Sequence, residues 1–107
     1  MAALEFPSPD QFELTGVMYA LSDPTRLAIV GQLASSRGRP LSCTALLADR
    51  PKSSMSHHFK ILRQAGVIET TAEGKEHLNR LRIGDLEARF PGLMKTVLRA
   101  IRTEAQG

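Results

Sequence analysis

Between Lys52 and Gly66 the chain sets Ser53, Ser54, Ser56, His57, Lys60 and Gln64 among Met55, Phe59 and Leu62. At about 100° per residue on a helix, Met55, Phe59, Leu62 and, less centrally, His58 share one face, while Ser53, Ser56, His57, Lys60 and Gln64 share the other. The polar front suits a DNA major groove. Small hydroxyls let the backbone come close, imidazole and amide offer donors and acceptors to base edges, and a lysine reaches phosphate or guanine. An ordinary amphipathic surface helix has the same pattern, so the segment alone leaves both readings open.

Other chemistry is poorly supplied. Ser56 and His57 lie on one exposed helix face with no orienting acid at a readable spacing, and no glycine-rich phosphate loop occurs, so an enzyme is not expected. His57 and His58 are adjacent, project about 100° apart and make poor co-ligands for a metal. His57 reads as a base or phosphate contact and His58 as a half-buried packing residue with one hydrogen bond; His77 has no companion ligand. Cys43 is the single cysteine. It reads as a small buried hydrophobe, with a thiol sensor as the alternative, because a thiol at a helix start is readily deprotonated. No catalytic group, metal or cofactor is expected.

These side chains need a scaffold, and the rest of the sequence supplies one. Residues 1–9, with Pro7 and Pro9, read as an extended arm. From Asp10, Leu14, Val17, Met18 and Leu21 recur at helical spacing and mark a first helix. Ser22-Asp23-Pro24 is a cap followed by proline at a helix start, opening a second helix to about Ala34 with Leu27, Val30 and Leu33 inward and Arg26 at its charged edge. Ser35 to Pro40 breaks it and reads as a solvated loop. Leu41 to Ala48 reads as a short helix capped by Ser42 with Leu46 and Leu47 inward, ended at Pro51. The polar-fronted helix over residues 53–66, capped by Ser53 and closed by Gly66, then completes a helix-turn-helix.

Beyond Gly66 the period changes. Val67 to Thr71 and His77 to Ile83 alternate as strands around Glu73-Gly74-Lys75, predicting a two-stranded wing over residues 67–83. Lys75 at its tip reads as a phosphate or minor-groove contact, with Arg80 and Arg82 on the backbone; a plain hairpin with solvated charges is the alternative. Residues 85–104 read as a terminal helix capped by Asp85, bent or restarted at Pro91-Gly92. Its apolar stripe from Leu86 to Ile101 exceeds what one small core covers, which predicts a homodimer through the first and last helices. The order is thus α-α-α-α(recognition)-β-β-α, mostly α with a small β-hairpin (α+β).

The 107 residues, 42% hydrophobic, fit one domain with a real core. The net charge of +3 is uneven. Residues 1–25 hold Glu5, Asp10, Glu13 and Asp23 and no lysine or arginine. Between positions 50 and 82, Arg50, Lys52, Lys60, Arg63, Lys75, Arg80 and Arg82 face only Glu69, Glu73 and Glu76. A polyanion partner suits that surplus, although basic surfaces also serve solubility. With no bilayer-length apolar run, no signal-peptide pattern and one cysteine, a soluble cytoplasmic protein is expected.

The stretch from Ala20 to Ile29, containing Ala-Leu-Ser-Asp-Pro-Thr-Arg-Leu, with Ser56-His57-His58-Phe59-Lys60-Ile61-Leu62-Arg63-Gln64-Ala65-Gly66-Val67-Ile68 and the Glu73-Gly74-Lys75 wing, resembles the ArsR-type winged-helix repressors over residues 12–102. The resemblance implies a homodimer on a palindromic operator of double-stranded DNA, released by a metal ion or other inducer. By position it matches Ser54, Ser56, His57 and Lys60 to the recognition helix and Lys75 to the wing tip. It departs at the sensor: Leu41-Ser42-Cys43-Thr44-Ala45 holds one cysteine where well-known members hold a C-x-C pair, and residues 85–107 hold no histidine. The inducer, whether metal, oxidant or small molecule, is left open, and a winged helix serving only protein–protein contact is the competing reading.

Overall fold

A computed structural model describes residues 2–3, 7–46 and 50–106. The elements run β1 (Ala2–Ala3), a 3-10 turn (Pro9–Gln11), α1 (Leu14–Ala20), α2 (Pro24–Ser35), β2 (Leu41–Ser42), α3 (Lys52–Ala65), β3 (Ile68–Glu73), β4 (Glu76–Leu81), α4 (Ile83–Arg89) and α5 (Leu93–Gln106). The mostly α, winged α+β fold is as expected, with α3 backed by α1, α2 and β3 and α5 packed on α2 and α4. Phe12, Val17, Ile29, Leu62, Leu86 and Met94 anchor the core at 0–1% exposure.

Local chemistry explains most boundaries. Asp23 accepts from Thr25 N at 2.8 Å and Arg26 N at 3.1 Å, and Pro24 occupies the first helical position, where no N–H is needed. Gly66 closes α3 at φ 88°, and Val67 N donates back to Leu62 O at 3.0 Å. At the wing, Glu73 pairs with Glu76 and Gly74 takes φ 61° at the first of two turn positions, the conformation that a two-residue hairpin with glycine first demands.

Several expectations need correction. The wing is not a two-stranded ribbon but the centre of a four-stranded antiparallel sheet, ordered β1-β3-β4-β2. Strands of two residues carry no readable period. The arm contributes β1 through Ala2↔Ala72, and the segment read as a short helix begins as β2 through Leu41↔Asn79. Pairing with the sheet outweighs helix propensity there. Asn79, fully buried, donates from Nδ2 to Leu41 O at 3.2 Å while its Oδ1 accepts from Thr70 Oγ1 at 2.7 Å. Within the described residues a turn follows, with Leu46 N on Ser42 O at 3.1 Å and Leu46 buried. The predicted inward Leu47 lies outside the described residues, as do Ala48 and Asp49.

The first helix starts later than Asp10. Pro9–Gln11 forms a 3-10 turn held by Ser8 and Gln11, and Phe12 drops into the core before α1 begins. Ser53 does not cap α3, because Pro51 occupies that position and Ser53 is already helical. Asp85 lies within the first turn of α4, not at its cap, and Gly92 at φ 86° separates α4 from α5.

Candidate nucleic-acid interface

The back of α3 is firmly seated. Met55 and Phe59 are 5% exposed and Leu62 is fully buried, whereas Ser53, Ser54, Ser56, His57, Lys60 and Gln64 are exposed. The hydroxyl of Ser54 is turned back to Pro51 O at 3.0 Å, strengthening the helix start. Beside this front, the turn after β2, the side of α3 and the wing tip enclose a cleft of about 500 Å³. Ser56, Lys60 and Lys75 all line it, so residues some 15 positions apart in sequence form one cation-bearing concavity.

Arg63 also lines this cleft and was absent from the sequence-based set. Its place three residues after Lys60 puts both on adjoining strips of α3, a spacing that was available to find it. Arg80 is exposed but borders a different cavity, with Leu33, Arg39 and Leu98 at the base of the wing. At about 3.4 Å per residue it stands some 17 Å along the strand from Lys75.

Arg82 is not a backbone-facing cation. It is 6% exposed, its Nη1 donates to Pro7 O at 2.6 Å, its Nε and Nη2 donate to Asp85 Oδ2 at 3.2 and 3.1 Å, and its guanidinium lies 4.7 Å over the Phe12 ring. The planar fork binds a carboxylate, a carbonyl and a ring face together. Arg82 therefore fastens the segment before α1 to the end of the wing and leaves the candidate DNA set.

Arg26, placed by its sequence at a charged edge, is likewise buried, at 5% exposure. Its Nε donates to Ala20 O at 2.7 Å, a carbonyl at the end of α1, and Nη2 to Tyr19 O at 3.1 Å, which also accepts from Ser22 N and Ser22 Oγ. Its Nη1 lies 3.2 Å from His58 Nδ1. A guanidinium has only donors, so Nδ1 is the acceptor of this pair. His58 is half-buried with one partner on α2, as its position on α3 suggested. Through it the scaffold grips the polar-fronted helix from behind.

Asp23 completes the cluster, with Oδ2 3.8 Å from His58 Nδ1. Desolvation pushes its carboxyl up, but the Arg26 N–H, the nearby His58 and the Thr25 N–H outweigh this, holding it below the ordinary 3.8. A depressed carboxylate contributes stability above its unfolded value that is lost as pH falls through the folded one. Acid unfolding below about pH 4 should therefore be less steep in Asp23→Asn, which a circular-dichroism pH titration would read.

Cys43 is half-buried. Its Sγ accepts from Asn79 Nδ2 at 3.2 Å and its N–H donates to His77 O at 3.0 Å, so the thiol is tied into the junction of β2 and β4. Among the described residues no three His, Cys, Asp or Glu side chains gather as a metal site, and no helix is long and apolar enough to cross a membrane.

Comparison with known proteins follows the same lines. A family model described as a helix-turn-helix domain matches residues 21–71. The chain is 35% identical over 83 residues to the HTH-type transcriptional regulator YceK of Bacillus subtilis, covering 76% of this chain and 82% of that protein. It is 37% identical over 83 residues to the HTH-type transcriptional repressor SmtB of Mycobacterium tuberculosis, covering 71% of this chain and 58% of that one. The crystal structure of an ArsR family transcriptional regulator superposes with a TM-score of 0.60 at 29% identity, covering 95% of this chain and 93% of the other. The transcriptional repressor BigR from Xylella fastidiosa shares the fold, with a TM-score of 0.54 at 22% identity over 72% and 85% of the two chains.

Proposed function

The chain belongs to the ArsR-type winged helix-turn-helix transcriptional regulators, and we propose that this DNA-binding repressor lays the front of α3 in the major groove of a palindromic operator as a homodimer, blocking the promoter. The observation that carries this reading is the shared cleft of Ser56, Lys60 and Lys75 on a helix whose back is fixed in the core. Ser53, Ser56, His57 and Gln64 supply base-edge and backbone contacts, while Lys60 and Lys75 neutralise phosphates. Ser54 and Arg80 flank this set.

Binding to the upstream DNA of its own gene, titrated at several salt concentrations, tests it. Lys60→Ala and Lys75→Ala should each weaken binding to all sequences and reduce the slope of log affinity against log salt by about one. Arg82→Ala, although less stable, should keep the parent slope. A parent protein with no salt dependence would instead fit a winged helix that contacts another protein.

The homodimer is proposed from α1. Leu14 and Met18, one turn apart, are 51% and 54% exposed, and Tyr19 is 60% exposed. Of the stripe read as inward, only Val17 and Leu21 are buried. An apolar strip left uncovered in so small a domain suits a two-fold contact, to which α5 would bring the partly buried Val97 and Ile101 as a second apolar face. Met18→Glu should shift the protein from dimer to monomer in sedimentation at micromolar concentration while leaving its helical content intact.

A further inference from the structure

We propose that the cleft between α3 and the wing is a binding site for a small organic anion with an apolar body, such as an aryl carboxylate or sulfonate, and that occupancy excludes DNA. The cleft's volume of about 500 Å³ lies in the range that encloses such molecules. Its wall changes character with depth. Met55 and Phe59, both 5% exposed, and the half-buried Cys43 form an apolar floor, while Lys60, Arg63 and Lys75 stand around it. Among the described residues that line it, Glu76 is the one carboxylate, beside His77, against three cations.

A phosphodiester satisfies those cations but has nothing to place on a floor of thioether, thiol and phenyl ring. A flat hydrocarbon carrying one anionic group matches both parts: its ring displaces water from Met55 and Phe59, and its anion takes charge-assisted bonds at the rim. Because Ser56, Lys60 and Lys75 belong to the proposed DNA surface, ligand and duplex compete for the same side chains. That regulatory half rests on the DNA-binding reading; the site itself does not.

Methionine methyl groups provide separate reporters. The full-length chain labelled with 13C-methyl methionine places Met55 in the cleft, Met18 on the exposed face of α1 and Met94 in the core. Titration with naphthalene-1-sulfonate should move the Met55 methyl signal and leave Met18 and Met94 in place. Neutral 1-naphthalenemethanol, and inorganic phosphate at matched ionic strength, should each bind about tenfold more weakly or worse, and Arg63→Gln should weaken the sulfonate by about tenfold. Should Arg63→Gln fold poorly, Lys75→Gln at the exposed turn gives the same reading. A response centred on Met18 or Met94, equal binding of the neutral compound, or equal binding of phosphate would overturn the site. Saturating sulfonate should also lower duplex affinity by about tenfold, and unchanged duplex affinity would overturn the exclusion. A protein that binds no duplex at all would remove the DNA reading while the methyl titration still decided the site.

Discussion

Gly66→Ala should lower the melting temperature by more than about 10 °C. Gly66 holds φ 88°, a left-handed conformation that costs an L side chain about 1–2 kcal/mol. A Cβ there would also sit 2.2 Å from Phe12 Cε1, with Cδ1 and Cζ at 2.6 and 2.7 Å. The ring cannot step aside, because Phe12 is 1% exposed and lies beneath the Arg82 guanidinium. Backbone strain and displaced packing together come to about 3–4 kcal/mol. A double variant separates them: Phe12→Leu removes the colliding ring, so Gly66→Ala should cost less on that background than alone. Strict additivity of the two melting shifts would rule out the collision. The glycine matters for function because it sets where α3 stops and the sheet begins, and so the angle between groove helix and wing.

Gly66 was legible in the sequence because a glycine after a long amphipathic run has one common use. The exposed front of α3 was legible for a related reason: fourteen residues give several repeats of a strong period. The two buried arginines were not. Residue type alone assigns a guanidinium to solvent, and only partners distant in sequence reverse that. For Arg82 the acceptors include the Pro7 carbonyl, 75 residues away, and for Arg26 the partners include the imidazole of His58, 32 residues away. The strands β1 and β2 escaped because their pairing is written in β3 and β4 rather than in themselves. The cleft escaped because it is assembled from three elements, each ordinary on its own.

Arg26→Met should destabilise the fold by about 3 kcal/mol and weaken DNA binding although no proposed DNA contact is altered. Methionine keeps most of the aliphatic stem and its volume, so packing is largely preserved and the loss isolates the guanidinium. Ala20 O would lose its side-chain donor, Tyr19 O would be left with the Ser22 N–H and hydroxyl, and His58 Nδ1 would lose its guanidinium neighbour. Arg26→Lys should recover little, because one ammonium cannot meet acceptors on α1 and α3 along the diverging directions that a planar fork reaches. Chemical denaturation measures the stability, and long-range 15N spectra of the His58 imidazole report any change of its tautomer when Arg26 is replaced. Full stability in Arg26→Lys would show that charge alone suffices. Loss of DNA affinity in Arg26→Met, measured where the variant is fully folded, would locate part of the repressor's grip on DNA in the α2 scaffold that aims α3, not in the side chains that α3 presents.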